Sequence, residues 1–221
     1  MKIVFSIFFY FLFCFVIIAQ SDTANKELYT NEYKFNEGIY ISFEQVKLNK
    51  PIPKVRLITQ LNIDNDEFFE EVVKFEKIYF FDDYGIKQEI STENIWGYCK
   101  NNGLYINCNN EFNRITIIGS VFHFVANTKV YHDRFNDPFY DNSSLGFSSY
   151  QTTELREYVF DFETGKIMDF SIESVETILK RNNKLYEEFM SLSKRKKRQL
   201  MFYYVRKYNE ATPLYLAKPE Y

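Results

Sequence analysis

Glycine, proline, cysteine and histidine are all scarce, with 7 Gly, 5 Pro, 3 Cys and 2 His in 221 residues. Seven glycines leave little room for a phosphate-cradling loop, and no nucleotide-binding glycine motif, nucleophile elbow or zinc-protease motif occurs. The two histidines, His123 and His132, are separated along the chain. Near them, Asp133, Asp137 and Asp141 recur every fourth residue, without the alternate-residue rhythm and bidentate Glu of a calcium loop. No metal and no cofactor is expected. His123 sits between Phe122 and Phe124, so on a strand it faces away from them and is expected on a polar face. Hydrolysis by acid and base needs two carboxylates held at a fixed distance. Asp161 and Glu163 share a strand face, but beside Gly165 they read as turn chemistry. The balance weighs against an enzyme, and a secreted hydrolase with carboxylates not recognisable in the sequence stays as the alternative.

Charge is missing altogether from Ile3 to Ala19. Lys2 ahead of that apolar run, and Ile17 and Ala19 at the positions a signal peptidase reads, predict a signal peptide over residues 1–19. The run is short for a membrane span, which favours cleavage over retention as an anchor. Phe13 before Cys14 is too large for a lipidation site. The expected location is outside the cytoplasm: periplasm, outer envelope or extracellular space. Removing the leader takes away Cys14 and leaves Cys99 and Cys108, an even pair in an exported chain and a candidate disulfide. Aromatic residues are plentiful, 18 Tyr and 24 Phe, yet six of the Phe belong to the leader. Lys, Asn and Ile are abundant too, so the excess reads as biased composition and not as a carbohydrate-stacking surface.

Residues 20–37 read as a mostly irregular lead-in, and residues 38–170 as a β-rich body. Gly38–Phe43 alternates as a strand, and Glu44–Asn49 fits a helical turn that Pro51 and Pro53 end. Val55, Leu57, Thr59 and Leu61 alternate as a strand, Asn62–Glu71 reads as an acidic loop, and Phe75–Phe81 and Ile86–Ile90 form a hairpin across Asp82–Gly85. An Asn102-Gly103 turn predicts a second hairpin, with Cys99 opposite Ile106 and Cys108 opposite Gly97. The two thiols then share a face as diagonal neighbours about 7 Å apart, so a bond between them needs a bulge or a longer turn. Arg114–Val125 continues the sheet, Asp133–Tyr150 is a polar loop, and Leu155–Phe162 pairs with Lys166–Phe170. Residues 171–209 then switch to helical spacing, with Ser171 and Ser193 as caps and a break at Asn182-Asn183; residues 210–221 are a tail. The expected fold is α+β: an antiparallel meander of about eight to ten strands followed by two or three helices.

Charge divides unevenly along the chain. Gln20 to Phe170 carries 15 Lys and Arg against 24 Asp and Glu, a net −9, and Ser171 to Tyr208 carries ten against four, a net +6. The densest feature is Lys194-Arg195-Lys196-Lys197-Arg198. Capped at Ser193, these five cations occupy the first turn and a half of a helix, where the dipole opposes each by about 0.3 kcal/mol or more. Something acidic should compensate. Glu187, Glu188 or the acidic body could do so internally; an envelope protein or an anionic lipid surface could do so from outside. No nucleic-acid partner is expected of an exported chain.

The segments Gly38–Glu44 with Asn49-Lys50-Pro51, Trp96–Cys99 with Leu104–Ile106, Tyr158–Lys166, and Ser191–Lys197 resemble an uncharacterised family of exported proteins from Bacteroidota. The likeness spans most of the chain beyond the leader. It implies an envelope or extracellular setting and no particular mechanism. Taken together, these readings favour a non-enzymatic periplasmic or cell-surface protein that works by binding or assembly, with peripheral attachment to anionic lipid through the basic helix as a further reading.

Overall fold

A computed structural model describes residues 26–133 and 149–219. The expected leader, and all but the edges of the polar loop with Asp137 and Asp141, lie outside the described residues. The fold is α+β, as the alternating body and helical C-terminal segment predict. Strands β1 (Lys26–Leu28), β2 (Gly38–Tyr40), β3 (Lys77–Phe81), β4 (Lys87–Ser91), β5 (Gly97–Lys100), β6 (Gly103–Cys108), β7 (Glu111–Ile117), β8 (Val121–Asp133), β9 (Ser149–Asp161), β10 (Lys166–Asp169) and β11 (Tyr215–Ala217) are joined by helices α1 (Phe43–Leu48), α2 (Phe68–Val72), α3 (Ile172–Leu179), α4 (Asn183–Met190) and α5 (Lys194–Ala211). Seven strands form one antiparallel sheet in the order β10-β9-β8-β7-β6-β5-β2, a meander from β5 onward; β3-β4 and β1-β11 are separate pairs. The β1-β11 pair ties the lead-in to the tail, Lys26 opposite Ala217.

Alternation along the strands gives the sheet two different faces. On one, Phe122, Phe124, Tyr158 and Phe160 join Leu104, Ile106, both cysteines, Tyr40 and Val46 of α1 in a single aromatic cluster. On the other, the α3–α5 layer packs on Val121 and Val159, while α2 and the β3-β4 pair cover Ile39, Tyr98 and Ile95 at the far end. Each helix of the layer starts at a residue whose side chain accepts from the backbone three positions on: Ser171, Asn182 and Ser193. Asn209 of α5 holds the layer to the sheet with a two-way amide clamp, accepting from Val121 N at 2.8 Å and donating to Val121 O at 2.9 Å.

Three local expectations are corrected. Val55–Leu61 is not a strand: Lys54–Arg56 is a 3-10 turn, Val55 is 80% exposed, and a single bridge from Leu57 to Phe80 is all the pairing the segment makes. The acidic stretch after it contains α2, because Phe68, Phe69 and Val72 bury one helical face. The β5-β6 turn is Asn101-Asn102, not Asn102-Gly103. Both asparagines take left-handed φ, 48° and 59°, as this tight turn requires, and Asn tolerates it well enough to release Gly103 into the strand. The register therefore moves by two residues: Cys99 faces Leu104, and Cys108 lies beyond Gly97.

Candidate functional site

The basic start of α5 is where charge and exposure concentrate. Leu200, Met201, Tyr204, Val205 and Tyr208 seat the helix against α3, α4 and the sheet, and this choice of buried face decides where the preceding cations go. Lys197 falls on the inner side. It is buried, with Nζ 2.7 Å from Glu176 Oε1 and 3.1 Å from Met190 Sδ, over the Phe189 ring at 5.4 Å. For Lys197 the compensation comes from Glu176 of α3 and not from Glu187, Glu188 or the acidic body, and Glu188 pairs with Lys207. Lys194, Arg195, Lys196 and Arg198 are exposed, and among the described residues none of the four is in a salt bridge. Glu173, in the first turn of α3, feels part of this charge. Hydrogen bonds from its own backbone N–H and from Ser171 hold its carboxyl below the usual range, and attraction from Lys194 and Arg198 adds to this. Of the five cations picked out in the sequence, four form a solvent-facing cluster and one is a core contact.

The other candidate residues are not brought together with that cluster. Asp161, 2% exposed, receives a two-pronged contact from Arg181: Nη1 to Oδ1 at 2.8 Å and Nη2 to Oδ2 at 2.6 Å. The Thr164 hydroxyl donates to Oδ2 at 2.6 Å and Glu163 N to Oδ1 at 3.3 Å. Burial pushes this carboxyl up, but the bonds from Arg181 and Thr164 outweigh it and the net shift is downward. Asp161 is thus an ionised anchor between the β9-β10 turn and the helical layer, with Glu163 adding a 3.1 Å contact to Arg181 on the outside.

His123 departs from expectation. It does face away from Phe122 and Phe124, but that face is roofed by helices, so the ring lies 4% exposed against Phe170 and Phe202, 5.2 and 4.5 Å between centroids. The Thr116 hydroxyl donates to the His123 carbonyl at 3.0 Å and is 3.0 Å from Nδ1. Having one proton to give, it accepts from Nδ1–H and leaves Nε2 a bare acceptor, which has no partner among the described residues. Burial lowers the ring's pKa. Of His132 only the backbone is described, on β8 opposite Tyr150 of β9.

Cys99 and Cys108 share the aromatic face, as the alternation predicts, and both are free, buried thiols. Burial pushes Cys99 up to about 12 and raises Cys108 as well, so neither forms a thiolate readily. The candidate bond is absent for a geometric reason: the two-residue shift of the hairpin moves the thiols apart along the strands. Among the described residues, no three His, Cys, Asp or Glu side chains gather as a metal set.

The segment from β2 through the end of α5 holds the seven-stranded sheet, the helical layer and the basic cluster, and it coincides with a conserved sequence pattern matched over residues 38–212. The chain belongs to the family of unknown function DUF6563. The family match leaves the β1-β11 pair outside its limits. No curated protein and no solved structure matches the chain.

Proposed function

We propose that this is an exported envelope protein that works by binding, and that it docks on an anionic lipid surface with Lys194, Arg195, Lys196 and Arg198. One observation carries the reading. Four cations stand in the first turn and a half of an 18-residue helix with no ion pair among the described residues, where the helix dipole opposes them. A negatively charged surface offsets that cost, at about 1 kcal/mol per Lys or Arg brought close to it. The leader expected over residues 1–19 and the likeness to exported Bacteroidota proteins support the location. The acidic body, net −9, would be held off such a surface, which leaves the basic helix start as the contacting part. The hydrolase reading has no comparable support, since Asp161 is bound by Arg181 and His123 is sealed under Phe170 and Phe202.

The test is co-sedimentation of the purified protein with vesicles of neutral lipid alone and of neutral mixed with anionic lipid, at rising salt. Binding is expected only with anionic lipid and falls steeply as salt screens it. Reversing three charges, Lys194→Glu, Arg195→Glu and Lys196→Glu, is expected to weaken it at least about a hundredfold. Salt-independent binding, or a triple variant that binds like the parent, overturns the reading.

A further inference from the structure

Lys197 is a buried cation short of acceptors. Its ammonium has three protons to donate. Glu176 Oε1 takes one at 2.7 Å, and the Phe189 ring lies against the charge at 5.4 Å. The other polar contact among the described residues is the Met190 thioether, Sδ at 3.1 Å, and a thioether is a weak acceptor. An ammonium taken out of water with one full-strength partner is costly, so a better acceptor in the sulfur's place would be favoured.

The side chain that makes this contact is also the most exposed methionine among the described residues. Met190 is 40% exposed, whereas Met168 and Met201 are partly buried against the helical layer. It is the last residue of α4, and the backbone there is secured without its side chain. Ser191 N donates to Glu187 O at 3.0 Å, and Ser191 Oγ donates to Glu188 O at 2.7 Å. The thioether, with three rotatable bonds, is therefore free to change its chemistry and its aim while the helix end stays in place.

We propose that Met190 is a reversible oxidation site, at which a peroxide converts the thioether to a sulfoxide whose oxygen becomes the second full acceptor of Lys197. A lone pair on Sδ attacks one oxygen of hydrogen peroxide. The S–O bond forms as the O–O bond breaks, sulfur gives up two electrons, and the proton on the transferred oxygen passes to the departing hydroxide, which leaves as water. Lys197 keeps all its protons. Oxidation of a methionine in apolar surroundings is disruptive because it makes the side chain polar. At Met190 the new dipole meets a buried cation, so the same reaction tightens the junction of α3, α4 and α5. The site stands independently of lipid docking, since Lys197 is the one member of the basic run that is turned inward.

The test is mild hydrogen peroxide treatment of the purified protein, read by peptide mass mapping and thermal unfolding. Met190 is expected to oxidise at least about fivefold faster than Met168 or Met201. Protein oxidised at Met190 alone is expected to melt about 2–4 °C higher than untreated protein. Methionine sulfoxide reductases acting on both epimers should return the melting temperature to its starting value. Met190→Leu should show no shift with peroxide, and Lys197→Leu should lose the gain while Met190 still oxidises. Should Lys197→Leu not fold, the NMR signal of the Lys197 ammonium in the parent decides, and it is expected to move when Met190 is oxidised. Equal oxidation of Met168 or Met201 overturns the proposal, as does a lower melting temperature after oxidation of Met190. A gain that persists in Lys197→Leu, or an ammonium signal that does not move, overturns it too, by assigning the effect to another group.

Discussion

The inner and outer halves of the β8-β9 pair share one register and differ in almost everything else. At the inner half, Phe122, Phe124 and Phe160 are fully buried on one face, Val121 and Val159 on the other, with helices and neighbouring strands on all sides. At the outer half the same ladder carries Tyr131 and Leu155 into solvent and has no further strand beside it among the described residues. Backbone pairing is equal in the two, so what separates them is the cover on their faces, and burial of that apolar surface is the term expected to make the inner half the more stable.

The sharpest way to break that contrast is to empty one side chain in each half. Phe160→Ala is expected to cost about 3–5 kcal/mol in urea unfolding, because its ring contacts Phe43, Trp96 and Phe122 and leaves a cavity among them. Leu155→Ala, measured at low protein concentration, is expected to stay within about 0.5 kcal/mol.

Ion pairs divide the same way. Asp161→Ala strips Arg181 of a buried, two-pronged partner and is expected to cost about 3 kcal/mol. Arg156→Ala removes a pair whose two side chains are each 42% exposed and is expected to cost under about 1 kcal/mol. Equal losses from the two substitutions would mean that burial is not what separates the halves.

The smallest effect is a pH dependence in the inner half. His123 is neutral when folded because burial lowers its pKa, while in the unfolded chain the ring takes up a proton near pH 6.5. Its contribution is therefore fully present above about pH 6.5 and is lost as pH falls below that value toward the depressed folded one. Unfolding midpoints measured from about pH 8 to pH 5 should decline more steeply in the parent than in His123→Leu, and matching slopes would place the titration elsewhere.

Much of this was legible in local patterns. The strands on either side of the β5-β6 turn, the β9-β10 hairpin across Glu163-Thr164-Gly165, and the caps Ser171 and Ser193 follow from alternation, turn chemistry and short polar side chains that satisfy helix N–H groups. Val55–Leu61 misled because alternation describes a strand only if a partner lies beside it, and a single bridge was available. The hairpin register misled because Asn-Asn and Asn-Gly both serve a turn with two left-handed residues, and the choice of pair shifts every contact after it, the cysteines included.

The amino-acid sequence by itself determined the antiparallel body, the helical C-terminal segment, the asymmetry of charge and the run of five cations, because each depends on residues within a turn or two of one another. Only the tertiary structure decided which of those cations turned inward to Glu176, that His123 lies under aromatic rings and not on a polar face, and that β8 and β9 pair well beyond the reach of β7 and β10. Those outcomes depend on which surfaces meet across the fold, and the period of a strand or helix specifies a face without specifying what comes to lie against it.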